Sequence, residues 1–370
     1  MAFFYGPLVK TIYTQELELL AKSLLALSKD AVNFGYQEVA GKKELFGYLG
    51  AENGVSINIS KLLTKADFTH IQLSDADSNA FQSDRDYREY YTYNRNEDDR
   101  FTSAEVYAIQ DYTGIGYINI NRLLYKQGVE YNSWEKVDDS GIIKDPQFGS
   151  DLLKTIFISS GLNKIMPEPS DQPVLHTYRG EHSTTDNQIQ ERIESIQAPD
   201  SFTKTPAYLS TTSDERVAGD FSGNVMIKFE GVYGKKIEDV SIFSNEKEYL
   251  LQPAKIQWTS HTLKEEMTPN GKRTEHIFTA KVVNPLIQSE QEPNAEEIAE
   301  FKKIVEWAKN NKIDTSFITE HNKNQYILGE QPNKNAIDYG DDYDYDMFTP
   351  PDDPLQAAEQ LAEWVSGIVL

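Results

Sequence analysis

VLHTY at residues 174–178, AYL at 207–209, VMIKF at 225–229, KKIEDV at 235–240, EYLL at 248–251, IQWT at 256–259 and IFTAKVV at 277–283 decide the fold. Each is a short run rich in β-branched and aromatic residues, the composition that suits a pleated, half-buried surface. Together they predict a β-rich lobe built as two packed sheets.

Upstream of Pro173 the period changes. Ala104–Ile109, a turn at Tyr112-Thr113-Gly114, Tyr117–Leu124 and Leu152–Ile158 follow helical spacing and predict a helical lobe. Nearer the start, Leu17, Leu20, Ala21, Leu24, Leu27 and Ala31 recur at helical spacing after Thr14. That pattern predicts an amphipathic helix capped by Thr14 and packed on one face. Ser83–Arg100 is densely charged and almost free of aliphatic residues, which marks a surface segment and a soft boundary near residue 98.

Beyond Pro285, Asn294 followed by Glu297 resembles a capping box, with Ile298, Phe301, Val305 and Ala308 on one face of the helix it opens. Asp338–Asp353 is acidic with a Pro pair and reads as extended or mobile; Leu355, Ala358, Leu361, Ala362 and Val365 then fall in helical register. The expectation is an α+β chain in three parts. Residues 1–98 form a mainly helical region, 99–285 the chemically active domain, and 286–370 a helix, an acidic flexible segment and a short final helix.

A formal net charge of -23 argues against nucleic-acid binding, because phosphate recognition needs clustered Lys and Arg. The acidity is uneven: Asn335–Leu370 holds seven Asp and two Glu and no basic residue, so the rest of the chain is only moderately acidic. That tail reads as a solubilising extension, or as a mask that competes for a cationic partner. With no Cys, thiolate chemistry and Cys-bound zinc are excluded, and the six His lack metalloprotease spacing. The start carries no cationic segment leading into an apolar stretch, and no apolar run reaches the ~18 residues of a membrane span. A soluble protein without a signal peptide is expected.

Three pieces of the β-rich part carry chemistry in a fixed order: Tyr178-Arg179-Gly180, Tyr208-Leu209-Ser210-Thr211-Thr212 and Glu246-Lys247-Glu248. Singly each is ordinary, as a surface cation, a strand edge and a solvated charge run. In order and at these spacings they resemble the arginine-specific mono-ADP-ribosyltransferase toxins, whose pattern is Arg, then aromatic-x-Ser-Thr-Ser, then Glu-x-Glu. Thr212 stands where that pattern has its second Ser and keeps the hydroxyl. Tyr112-Thr113-Gly114, Tyr117 and Ile120-Asn121 resemble the helical lobe that precedes the Arg strand, so the likeness covers about residues 99–285.

The resemblance implies a two-sheet ADP-ribosyltransferase core, NAD as co-substrate and a protein acceptor with an exposed arginine, for a protein that is cytoplasmic or delivered into a host cell. It implies that Arg179 and Gly180, with Thr211, Thr212 and Phe221, bind NAD, Arg179 meeting the diphosphate with the directed donors of a guanidinium. Phe221 would face the nicotinamide and Phe243 the target arginine, although a core role suits either ring as well. Glu248 would stabilise the oxocarbenium-like ribose left when the glycosidic bond breaks, and Ser210 would orient it. Glu246 would orient and deprotonate the acceptor guanidinium, whose pKa lies above ~12. On an extended segment, residues 246 and 248 would point to the same side. Glu238–Asn245 reads as the loop that presents Glu246, or as strand. NAD glycohydrolysis and non-catalytic NAD binding remain open as alternatives.

Overall fold

The computed structural model describes residues 10–318 except 29–30, 51–53, 82–99, 126–140, 144, 146, 166–175, 183, 199–200, 232–233, 269–270 and 286–292. These all belong to one compact unit, Met1–Ile337. The acidic segment and the short final helix, like most of the charged segment Ser83–Arg100, lie outside the described residues.

Helix α1 (Ile12–Ala26) begins earlier than the sequence suggests. Thr11 is its cap and accepts from the Thr14 backbone N–H, while Thr14 sits in the first turn. The Thr14 hydroxyl is engaged elsewhere, accepting from Asp67 N at 2.8 Å, so a tertiary contact takes the side chain that local pattern assigns to the cap. The expectation of one packed face is also overturned: every residue from Ile12 to Ser23 is buried. Two of the charged ones are tolerated because they are paired, Glu18 with Lys10 at 2.6 Å and Lys22 with Asp77 at 2.7 Å.

Strands β1 (Val32–Val39), β2 (Lys42–Leu49) and β3 (Val55–Asn58) form an antiparallel sheet in the stretch read as mainly helical. The hairpin turns on Ala40 and Gly41, both at positive φ, as a two-residue primed turn requires. Ala at the first of these positions is a poor turn signal, which hides the sheet from sequence reading. Short helices α2 (Ile59–Lys65) and α3 (Asp75–Ala80) follow. Then α4 (Ser103–Asp111) runs through a wide turn, Tyr112–Gly116, into α5 (Tyr117–Tyr125), and α6 (Phe148–Lys164) packs on α4. Gly114 breaks the helical geometry in that turn, at φ -85 and ψ -110.

The β-rich lobe comprises β4 (Thr177–Glu181), β5 (Thr203–Thr205), β6 (Leu209–Thr212), β7 (Val225–Phe229), β8 (Lys235–Lys236), β9 (Glu248–Leu251), β10 (Ala254–Thr268) and β11 (Gly271–Pro285). Their order is β5-β10-β11-β7-β4-β6-β9-β8, with only β7 and β11 parallel among the described pairings. Between β4 and β6 the described pairing is a single step, Tyr178 opposite Thr212. The eight-stranded sheet therefore has a five-stranded and a three-stranded part joined at that step, in keeping with the expected α+β, two-sheet core. Helices α7 (Asp186–Gln197) and α8 (Glu215–Asp220) were not read from the sequence. The run Lys235–Val240 is strand for two residues only before turning.

Alternation along β6 and β9 builds two cores. Leu209 and Leu251, paired across the strands, join Val225, Ile227, Phe229, Trp258 and Phe278 in the five-stranded sheet's core. Leu250 points the other way and joins Tyr208 in the core of the helical lobe. Helix α9 (Ala295–Asn310) opens with the expected Asn294/Glu297 capping box and returns to α1, where Glu297 accepts from the Tyr13 hydroxyl at 3.0 Å. The first and last described helices thus share one core, with Phe301 and Ile304 buried in it. Phe301→Ala should cost about 3 kcal/mol by denaturant unfolding; an unchanged midpoint would show that α9 is only a surface addition.

Candidate active site

The face of β6 and β9 that carries Leu250 into the helical core carries Ser210, Thr212 and Glu248 at its open end. Register places Ser210 opposite Leu250 and Thr212 opposite Glu248, so all four share that face. Glu248 is only 4% exposed. Its carboxylate accepts from the Ser241 hydroxyl at 3.4 Å and from the Ser210 hydroxyl. Burial pushes its pKa up, and the two serines and the nearby Arg179 charge oppose that rise.

Arg179 reaches the same place from β4. Its Nη1 donates to the Ser210 carbonyl at 3.0 Å and its Nε to Glu181 Oε1 at 3.4 Å, with 29% of the side chain exposed. Gly180 follows because nothing larger fits: a Cβ there would lie under 3 Å from the backbone of Ala218, Phe221 and Ser222. That close approach seats the Phe221 turn, at the end of α8, directly against β4. The Phe221 residue is half-buried.

The helical lobe closes the other side. The Tyr112 hydroxyl donates to the Tyr208 carbonyl at 3.0 Å, and Asn121 Nδ2 donates to the same carbonyl at 3.3 Å. Tyr112 also exchanges a hydrogen bond with Ser210, and burial raises the pKa of its hydroxyl, keeping it a neutral donor. The two lobes are therefore joined two residues before the serine.

The segment Glu238–Asn245 is loop, not strand. It is pinned by Ile242 N donating to Thr113 Oγ1 at 3.3 Å, and it leaves Phe243 38% exposed. The extended geometry expected for Glu246 is overturned. Glu246 ends a tight turn, Ser244–Glu246, and Lys247 is left-handed at φ 49 before β9 begins. Those turns still bring the carboxylates together: burial, and then the charge of Glu248, raise the Glu246 pKa to about 7. Thr212 holds the turn, its hydroxyl donating to the Glu246 carbonyl at 2.6 Å and accepting from Asp214 N at 3.0 Å.

Of the nine residues singled out from the sequence, Arg179, Ser210, Glu246 and Glu248 converge, and Thr212 and Gly180 support them through the backbone. Phe221 and Phe243 stand on the segments at either side. Thr211 does not join: it alternates to the far face and donates to the Tyr249 carbonyl at 2.9 Å. Sequence reasoning missed Ser241, Glu181 and Arg192. Glu181 lies two residues beyond Arg179 on a strand, a spacing that could have signalled it; Arg192 lies on α7, which carried no sequence assignment.

A family model described as ADP-ribosyltransferase exoenzyme matches residues 84–284, more than half of the 370-residue chain. The chain belongs to the ADP-ribosyltransferase exoenzyme family. Its activity class is NAD-dependent ADP-ribosyl transfer. Solved structures to which the chain is similar include exoenzyme S of Pseudomonas aeruginosa, captured with human 14-3-3 protein beta and carba-NAD, at 19% identity over 61% of this chain and 95% of that one, with TM-score 0.38. An ADP-ribosyltransferase of Pseudomonas syringae pv. Tomato is 18% identical over 59% of this chain and 95% of that one, with TM-score 0.36. An ADP-ribosyltransferase toxin from Paenibacillus larvae is 15% identical over 58% and 98%, with TM-score 0.35. No curated protein matches the sequence significantly. Among the described residues of this family member, no helix is long and apolar enough to cross a membrane.

Gly180→Ala should push the Phe221 turn off β4, costing about 1–3 kcal/mol as overpacking does and weakening NAD binding with it. Melting and NAD titration at wild-type values would show that the close approach is dispensable.

Proposed function

We propose that the protein transfers ADP-ribose from NAD to arginine on a protein acceptor. The observation that carries this reading is the pair of unlike carboxylates: Glu248 is enclosed and hydrogen-bonded by serines, whereas Glu246 is partly exposed on a turn beside it. Hydrolysis of NAD needs the first kind only. A guanidinium acceptor also needs a carboxylate at the mouth that can orient it and take its proton.

In this reading Arg179 holds the diphosphate through its outward guanidinium, and Phe221, seated beside it by Gly180, faces the nicotinamide. Glu248, oriented by Ser210 and Ser241, stabilises the positive charge that develops on the ribose as nicotinamide leaves. Glu246 receives the acceptor guanidinium next to the exposed Phe243 and accepts one proton as the new C–N bond forms. Burial raises the pKa of both carboxyls; at Glu248 two hydroxyls and Arg179 oppose that rise, whereas at Glu246 the neighbouring charge of Glu248 adds to it.

Glu248→Gln should reduce both NAD hydrolysis and transfer by roughly 10² or more, since both pass through the same cationic ribose. Glu246→Gln should abolish transfer to a small guanidine such as agmatine while hydrolysis persists. Equal loss of both activities in Glu246→Gln would sink the division of roles.

The transfer rate should rise with pH through about 7, where Glu246 gives up its proton. The sign follows because a base works only deprotonated and this carboxyl is held protonated above its ordinary range. The hydrolysis that persists in Glu246→Gln should lack that step. A wild-type transfer rate that is flat between pH 6 and 8 would remove Glu246 as the base.

A further inference from the structure

Glu181 is a mostly buried carboxylate that neither the bond-breaking nor the acceptor step uses. It lies two residues after Arg179 on β4, hence on the same side of the strand. Its two oxygens have separate partners. Oε1 accepts from Arg179 Nε at 3.4 Å, while Oε2 accepts from Arg192 Nη1 at 2.8 Å and from the Thr184 hydroxyl at 3.1 Å. The two guanidinium groups outweigh burial and hold its pKa at about 2.

Arg192 is itself fixed. Only 6% of its side chain is exposed, and its guanidinium lies 4.8 Å from the ring centre of Trp258 and 5.7 Å from that of Phe278. The Glu181 backbone is anchored too, its carbonyl accepting from Gly223 N at 3.0 Å in the turn that follows Phe221. A rigid chain thus runs from the aromatic core of the five-stranded sheet through Arg192 and Glu181 to Arg179, and on to the Ser210 carbonyl.

Core stability accounts for the Arg192–Glu181 pair. It does not account for the second oxygen, which engages a partly exposed arginine at the active site. Charge supplies the reason for having two cations. Glu181 alone against Arg179 would leave a neutral pair, with no attraction for an anion; with Arg192 the trio carries one net positive charge.

We propose that Glu181 is a positioning residue for NAD: it grips the Nε edge of Arg179 and aims the outer edge of the fork at the diphosphate, while Arg192 keeps the cluster cationic. The proposal rests on the reading that Arg179 meets the diphosphate.

The test uses the full chain and steady-state NAD hydrolysis. Glu181→Gln keeps the shape and removes the charge that holds Arg179. The expected result is a KM for NAD and an inhibition constant for ADP-ribose each raised about tenfold, with kcat within about twofold, as for loss of one charge-assisted hydrogen bond. Inhibition by nicotinamide, which lacks the diphosphate, should not change. In an Arg179→Ala background Glu181→Gln should have no further effect on KM. Melting temperature is measured for each variant; should Glu181→Gln fail to fold, Glu181→Asp keeps the charge for Arg192 but is a methylene too short to hold the longer contact to Arg179 Nε, and should show the same rise in KM.

A KM that is unchanged or lowered in the folded variants would overturn the proposal, since Glu181 would then only balance charge. An equal rise in KM with and without Arg179 would overturn it as well, by showing a general structural effect. If Arg179→Ala itself leaves the KM for NAD unchanged, the diphosphate reading of Arg179 fails, and the proposal falls with it for that separate reason.

Discussion

The burial of Glu248 governs the site. A carboxylate enclosed at the end of β9 takes up a proton unless hydrogen bonds and a cation favour its charged form. The neighbouring features all meet that demand. Ser210 comes from the paired strand, Ser241 from the loop before it, and Arg179 from across the step that joins the two parts of the sheet. Arg179 is in turn held by the Ser210 carbonyl and by Glu181, so the groups that stabilise the carboxylate also stabilise one another. Such a network is costly to satisfy in part, and every member here has a described partner.

That network sits where two cores meet. Leu209 and Leu251 lead into the sheet core and Tyr208 and Leu250 into the helical core, so β6 and β9 form the wall between them. The Tyr208 carbonyl, bonded by Tyr112 and Asn121, fixes the wall to the helical lobe two residues before Ser210. A site on such a wall is held by packing on one side while the other remains open. The open side carries the less regular parts: the wide turn after α4 and the loop that ends in Glu246, linked by the contact between Ile242 and Thr113.

Much of this was legible in advance because strands report themselves twice, through composition and through alternation. The run at Glu248 has its observed bounds, whereas the runs at 174–178 and 207–209 stop just short of Arg179 and Ser210, whose strands begin at Thr177 and Leu209; the pairing of β6 with β9 then parts Ser210 from Thr211, which the motif groups together. What the sequence hid has identifiable causes. The β1–β2 hairpin turns on Ala40-Gly41, where the common signal is Asn or Asp before Gly. Helix α1 looked amphipathic because Glu18 and Lys22 are charged, and nothing local reveals that distant partners allow their burial. Helix α7, and with it Arg192, lies in a polar stretch with few apolar positions to mark a face.

By itself the sequence determined the chemistry available: one arginine, one hydroxyl strand and two carboxylates in a fixed order, in a chain with no thiol and little basic clustering. Side-chain identity sets what a group can donate, accept or titrate, and spacing along a strand sets which neighbours share its side. The tertiary structure alone decided how the two carboxylates differ. The left-handed Lys247 and the tight turn before it put Glu246 toward solvent, while pairing with β6 drew Glu248 inside. Burial and the field of one carboxylate on the other depend on distances through space, and those exist only once strands far apart in the chain have come together.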